Sequence, residues 1–266
     1  MAVLTISRQL GSIDREIPQT MARLWDYEYV DRRKILEDLS AQGSQWEAFG
    51  KEFDEHYPNL WERFDRSFAG FVILSQSIIL NYALKDNVII VGRGGNFLLR
   101  EVPFALNVRI VAPIEQRLEE VMKRENLSRS AAELFVKKVD KEMSRAVHFI
   151  YGKNIDEPSS YDLFFDVGVI PVHDMMGTIR AALLEKDKLK TDTAMEALQM
   201  KALAKKVRAG IVTHPTLFIP VFDVIPGAGR LLVTCIVHNP DERKEVEAEV
   251  KKLAGSVPVE FALHYR

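Results

Sequence analysis

The amino-acid sequence predicts an α/β fold, a parallel sheet covered by helices on both faces, followed by a small α+β domain. Three observations predict it. Val3-Leu4-Thr5-Ile6 is a short apolar run with β-branched residues, and it passes through a turn at Gly11 into a helical pattern at Met21, Ala22, Leu24 and Trp25. Val88-Ile89-Ile90-Val91 is a second such run and enters Gly92-Arg93-Gly94-Gly95-Asn96 directly. From residue 1 to about 185, strand and helix patterns alternate, which is the rhythm of parallel strands joined by crossover helices.

After the opening strand–turn–helix, Tyr27-Glu28-Tyr29-Val30 reads as a short strand ending at Asp31, and Arg32 to Ala41 as a helix. Residues 42–58 are aromatic and acidic without a clear period and are expected to form a helical excursion. Apolar positions at Leu60, Phe64, Phe68, Phe71, Val72, Leu74, Ile78, Ile79 and Tyr82 predict a long helix over 60–85, ended by Asn87. The strand 88–91 follows, then a short helix around Phe97–Arg100 and a strand over Asn107–Ala112. Pro113 opens a helix through Arg124, since proline is well tolerated in a first helical turn. Residues 128–150 are helical and strongly charged; Tyr161–Val167 is the last strand of this series and Met175–Leu184 its last helix. The polar stretch 186–193 is the expected linker between a domain at 1–185 and a smaller one at 194–266. That smaller domain reads as helix 194–209, strand 215–222, strand 229–237, helix 240–254 and strand 257–264, with Pro226-Gly227-Ala228-Gly229 as the hairpin connection.

Composition narrows the function classes. The chain has 266 residues, 47% hydrophobic and 28% charged, an ordinary globular balance that argues against disorder. A formal net charge of −2 gives no reason to expect nucleic acid as a partner. The single cysteine, Cys235, excludes a disulfide framework and a multi-cysteine zinc site, and its apolar run Leu231–Val237 predicts a buried, inert thiol. The apolar stretch 71–84 is interrupted by Ser75, Gln76, Ser77 and Asn81, so no membrane span is expected. Met1 leads directly into a core strand with no signal-peptide pattern, and a cytoplasmic protein is the default. His214, His238 and His264 show no metal-ligand spacing, so no metal site is assigned to side chains.

A phosphate loop works because backbone N–H groups, freed by glycines and aimed by a helix N-terminus, surround a phosphate, while a lysine adds charge and a following Ser or Thr holds Mg²⁺. The turn after the first strand offers Gly11 and Ser12, with Arg8 and Arg15 as compensating cations, but Ile13 and Asp14 stand where the second glycine and the lysine belong. Taken alone, this turn reads equally as an ordinary strand–helix connection or as a degenerate phosphate loop. The Gly92–Asn96 turn is a stronger signal. An arginine between glycines at the carboxyl end of a parallel strand sits where open α/β sheets bind ligands, and its planar fork suits phosphate. The alternative there is a structural turn whose arginine pairs with a neighbouring helix. The basic residues between 115 and 153, among them Arg117, Arg124, Arg129 and Arg145, read as a solvated helix face or as a lid that neutralises a transferring phosphoryl group.

Together these stretches resemble the cytidylate kinase-like family of P-loop nucleoside monophosphate kinases. The resemblance rests on Thr5-Ile6-Ser7-Arg8-Gln9 with Gly11-Ser12, Tyr29-Val30-Asp31, Val91 to Asn96, Val108 to Pro113 with Arg117, the Asp140/Arg145 pair, and Tyr161-Asp162-Leu163, and it spans residues 1 to about 185 in consistent order. It implies transfer of the ATP γ-phosphoryl group to a pyrimidine nucleoside monophosphate such as CMP, with Mg²⁺. It also implies that Arg8, Gly11, Ser12 and Arg15 hold nucleotide phosphates, that Asp31, Arg93 and Gly94 contact the acceptor, and that Arg124, Asp140 and Arg145 are catalytic. The family's Gly-Ser-Gly-Gly loop is Gly11-Ser12-Ile13-Asp14 here, which removes backbone freedom and brings a negative charge to the phosphate position. A second reading therefore keeps the fold and drops the chemistry, leaving a sensor or assembly protein that acts through its C-terminal module. The helix–strand–strand–helix–strand order of that module is similar to small BON-type modules, and its expected role is regulatory or in homo-oligomerisation.

Overall fold

Among the described residues, five strands make one parallel sheet: β1 (Val3–Arg8), β2 (Glu28–Val30), β3 (Val88–Val91), β4 (Ala105–Val111) and β5 (Leu163–Asp166), in the order β2-β3-β1-β4-β5. The computed structural model describes the backbone of residues 2–55 and 66–266 and the side chains of 2–51 and 66–266, so the expected helical positions at 56–65, Leu60 and Phe64 among them, lie outside the described residues. β3 is buried along its whole length and β1 as far as Ser7, as a strand covered on both faces requires. Register pairs Leu4 with Ile89 on one side of β1 and with Leu106 on the other. The chain leaves β1 for β2 and β3 on one side and then crosses to β4 and β5 on the other. This reversal opens a crevice at the carboxyl ends of the strands beside β1.

The connecting helices are α1 (Glu16–Trp25), α2 (Arg32–Ala41), α3 (Ser44–Glu55), α4 (Arg66–Leu84), the single turn α5 (Gly95–Leu98), α6 (Ile114–Glu125), α7 (Arg129–Tyr151) and α8 (Val172–Asp187). Their ends follow local chemistry. Pro113 stands at the cap of α6 without needing an N–H, Ser128 accepts the Ala131 amide at the start of α7, and α6 and α7 stop at left-handed Asn126 and Gly152. Past α4, Asp86 and Asn87 both adopt positive φ, which ends the helix where the asparagine predicted. One core joins Leu4, Ile6, Ile89, Val108 and Ile110 of the sheet to Met21 and Ala22 of α1 and to Met175, Ile179 and Leu183 of α8.

The contacts divide the chain into two compact units, Met1–Lys34 with Lys85–Thr191, and Ile35–Leu84 with Asp192–Arg266. In the second unit α9 (Asp192–Val212) packs along α4, and α9 and α10 (Pro240–Ala254) share a core with the sheet β6 (Phe222–Pro226), β7 (Leu231–Val237) and β8 (Val259–Tyr265). β6 and β7 are antiparallel across the glycine turn, and β7 and β8 are parallel. The strand expected at 215–222 is a correction. Pro215 and Pro220 supply no ladder donor, and the Thr216 and Leu217 amides turn back onto His214 Nδ1, so pairing starts only at Phe222. Cys235 lies in this core, and burial pushes its thiol up to about 11. By length and composition α4 could cross a membrane, but 67% of its apolar window is buried inside the protein.

Candidate functional site at the strand ends

The turn that follows β1 uses its own donors. The Gln9 amide donates to Ile110 O (3.1 Å) and the Ser12 amide to Gln9 O (3.2 Å). The buried Ser12 hydroxyl donates to Gln9 O (2.9 Å) and Ile110 O (3.3 Å). Gly11 has φ +77°, and a Cβ there would lie 2.6 Å from the Arg117 carbonyl oxygen, so glycine is required by both conformation and space. Ile13 is buried in the core of the first unit. Asp14 Oδ1 accepts the Glu16 amide (2.9 Å) at the start of α1, and the Asp14 carbonyl accepts the Ile17 amide (3.2 Å). A carboxylate thus occupies the helix N-terminus at which a phosphate would bind.

Mg²⁺ and ATP, which the resemblance implies, do not fit this turn. Arg15 stands after Asp14 where a metal-ligating Ser or Thr would follow the lysine, Ser12 is buried with its hydroxyl turned onto two carbonyls, and the helix-terminal amide is spent on Asp14. A cavity of about 350 Å³ beside the turn is lined by the carboxylates of Asp14, Glu119 and Glu120 against the single ammonium of Lys123. Such a lining repels a polyphosphate.

A different group of side chains converges at the ends of β1 and β2. Arg8 is half-buried, and among the described residues its side chain makes no hydrogen bond or ion pair. Burial lowers its pKa; Tyr29 and Asp31 oppose that shift, while Arg15 and Arg124 add to it. Burial also raises the Tyr29 phenol, with Asp31 adding to the effect and Arg8 opposing it. Asp31 Oδ1 accepts the Lys34 amide (3.1 Å) and so caps α2. Arg124 is held by Glu125 (2.8 Å) and Glu120 (3.8 Å), with its Nη2 buried and without a partner among the described residues, and Arg15 lies 3.8 Å from Glu125. The structure therefore brings Arg8, Arg15, Asp31 and Arg124 into one electrostatic neighbourhood.

The glycine turn after β3 holds three successive residues at positive φ: Gly92 (81°), Arg93 (55°) and Gly94 (70°). A left-handed arginine is uncommon and costs of order 1 kcal/mol or more, and such strain concentrates at ligand sites. Tyr151 from α7 fixes the turn by donating to Arg93 O (3.2 Å), and its ring leaves no room for a Cβ on Gly94. Phe97 stacks on the same ring at 5.4 Å.

Both carboxylate oxygens of Asp140 accept from Nη2 of the buried Arg117 guanidinium (2.7 and 2.8 Å), whose Nε donates to Leu10 O (2.8 Å). This clamp ties α7 through α6 to the turn after β1. Arg145 is exposed on α7. Sequence reasoning missed Arg109, which is buried on β4 and donates to Ser7 Oγ (2.9 Å) and Asp156 Oδ1 (2.7 Å). Its signal was available as a charge in the middle of an otherwise apolar strand, Val108-Arg109-Ile110-Val111.

Residues 3–169 match the model of the cytidylate kinase-like family. The chain is 26% identical to a cytidylate kinase of Pyrococcus abyssi over 184 residues, 68% of this chain and 93% of that one. It is 24% identical to a cytidylate kinase of Methanocaldococcus jannaschii over 186 residues, 68% and 97% of the two chains. A solved structure of an uncharacterized protein from Eubacterium ventriosum aligns with TM-score 0.55 at 17% identity, covering 69% of this chain and 98% of that one.

Proposed function

We propose, because this chain belongs to the cytidylate kinase-like family, that its first unit is a nucleotide kinase-like module that binds a pyrimidine nucleoside monophosphate at the ends of β1, β2 and β3. The observation that carries the reading is Arg8. Burial strips hydration from this half-buried guanidinium, the Asp31 carboxylate offsets that loss only in part, and two further arginines raise the local potential. A phosphate monoester would restore what Arg8 has lost, with Arg15 and Arg124 adding charge. The strained Arg93 and Gly94 turn would approach the same ligand, and Tyr29 and Asp31 supply polar groups for its sugar or base. The relatives are named cytidylate kinases, but Ile13, Asp14 and Arg15 do not offer ATP and Mg²⁺ a cradle, so the reading is binding without phosphoryl transfer.

Calorimetry with CMP, dCMP, UMP and AMP tests this directly, beside ³¹P NMR with Mg·ATP. The expected outcome is saturable binding of a pyrimidine monophosphate, weakened at least tenfold by Arg8→Gln, with no diphosphate formed over hours. Formation of a nucleoside diphosphate would overturn the non-transferring reading, and absence of any monophosphate binding would overturn the site.

A further inference from the structure

Ser7 and Arg109 face each other in register on β1 and β4, and they alternate along the pleat with Arg8 and Ile110. They therefore lie on the opposite face of the sheet from Arg8. The Arg109 side chain is 3% exposed, yet its carboxylate partner Asp156 is 58% exposed and lies in the irregular segment between α7 and the turn Pro158–Ser160. The pairing is also incomplete. Asp156 meets Nη2 through one oxygen (2.7 Å), Ser7 takes Nη1, and Nε is buried with no partner among the described residues. Guanidinium presents Nε and one Nη side by side, a fork that a tetrahedral or planar oxyanion fills with two bonds. A cavity of about 40 Å³ adjoins this fork, bordered by Gln9 and Asp140. The Asp140 charge is already answered by Arg117 through both its oxygens.

We infer that Arg109 is an anchor for a phosphate oxyanion and that Asp156 is a displaceable carboxylate closing it. The incoming oxyanion takes Nε and Nη2 together, and the Asp156 side chain moves into the solvent it already largely faces. The oxyanion belongs either to free phosphate or to the phosphoryl group of a nucleotide. The inference does not depend on Arg8, which serves a different face.

Titration calorimetry of the full chain with inorganic phosphate and, separately, CMP tests it. Asp156→Asn removes a competing charge worth up to about 1 kcal/mol at such exposure, so affinity is expected to rise by up to about fivefold. The rise is expected to disappear when Arg109→Lys is added, because an ammonium cannot make the two-pronged contact, and to survive Arg8→Gln. Tightening of phosphate assigns the anchor to the free ion, and tightening of CMP alone assigns it to a nucleotide phosphoryl group. Unchanged affinity for both in Asp156→Asn, or a gain that persists with Arg109→Lys, overturns the inference. The Asp156→Asn result stands without the Arg109 variant should that protein fold poorly. Loss of CMP binding through Arg8→Gln alone bears only on the Arg8 site.

Discussion

Replacing Asp140 by alanine separates a structural from a catalytic role for this carboxylate. In the fold it is the sole salt-bridge partner of Arg117 among the described residues, and the Arg117 side chain is 5% exposed. Breaking a fully buried pair by removing one member typically costs about 3–5 kcal/mol, because the remaining charge is stranded. Asp140 is 36% exposed, so water can reach the vacated position, and Arg117 keeps its bond to Leu10 O. The expected cost is accordingly at the lower end, about 2–3 kcal/mol. For a unit of this size that corresponds to a fall of about 5–10 °C in the first thermal transition. Differential scanning calorimetry of wild type, Asp140→Ala and Arg117→Met reads it, and Arg117→Met should recover part of the loss by removing the stranded charge. A melting temperature unchanged in Asp140→Ala, with nucleotide binding or turnover abolished, would refute the clamp and return Asp140 to the catalytic role that the family resemblance implies.

Ser12→Ala is expected to lower stability by about 1 kcal/mol and to leave Mg²⁺ affinity unchanged in a metal titration, since both carbonyls that accept its hydroxyl also accept backbone amides. Gly94→Ala is expected to destabilise by about 1–3 kcal/mol in urea and to weaken monophosphate binding, because φ is +70° and the Tyr151 ring occupies the Cβ position. Cys235 should react with a thiol reagent at pH 8 only on unfolding. Its folded pKa is raised, so the stability it contributes is fully present below its ordinary value of 9.0 and is lost as pH rises toward about 11, a fall that Cys235→Ala should remove from the pH–stability curve.

The strands and most helices of the first sheet were legible because burial on both faces leaves an uninterrupted apolar run, as in Val88–Val91, and because caps such as Pro113 and Asn87 act locally. Helical periodicity in Phe68, Phe71 and Leu74 announced an apolar face but could not say what would cover it. That the cover is α9, more than a hundred residues on, is a tertiary fact. The candidate site was only partly nameable in advance. Arg8, Asp31, Arg93 and Arg124 were candidates through motif and resemblance, whereas the Arg117–Asp140 clamp and the Arg109–Asp156 pair depend on which face of α7 and which side of β4 meet in space.

What the sequence did show about the turn, its Ile13 and Asp14, has an energetic consequence that geometry makes specific. A glycine-rich loop has no anchor of its own and stays open for phosphate to organise. Here the Ile13 side chain is 6% exposed, and burying it stabilises the closed turn by about 1.5–3 kcal/mol. The Asp14 cap on the Glu16 amide contributes about 1 kcal/mol more. A triphosphate must undo both before it meets a single loop amide, a penalty of about 2.5–4 kcal/mol that lowers affinity by roughly 10²–10³ before any repulsion from Asp14, Glu119 and Glu120 is counted. The same two residues anchor the turn against the core and against α1, and so they oppose its opening while strengthening the frame that holds Arg8. Ile13→Gly with Asp14→Gly should therefore gain Mg·ATP binding and lose thermal stability together. A double variant that loses stability without gaining ATP binding would place the obstacle in the acidic cavity instead of in the closed turn.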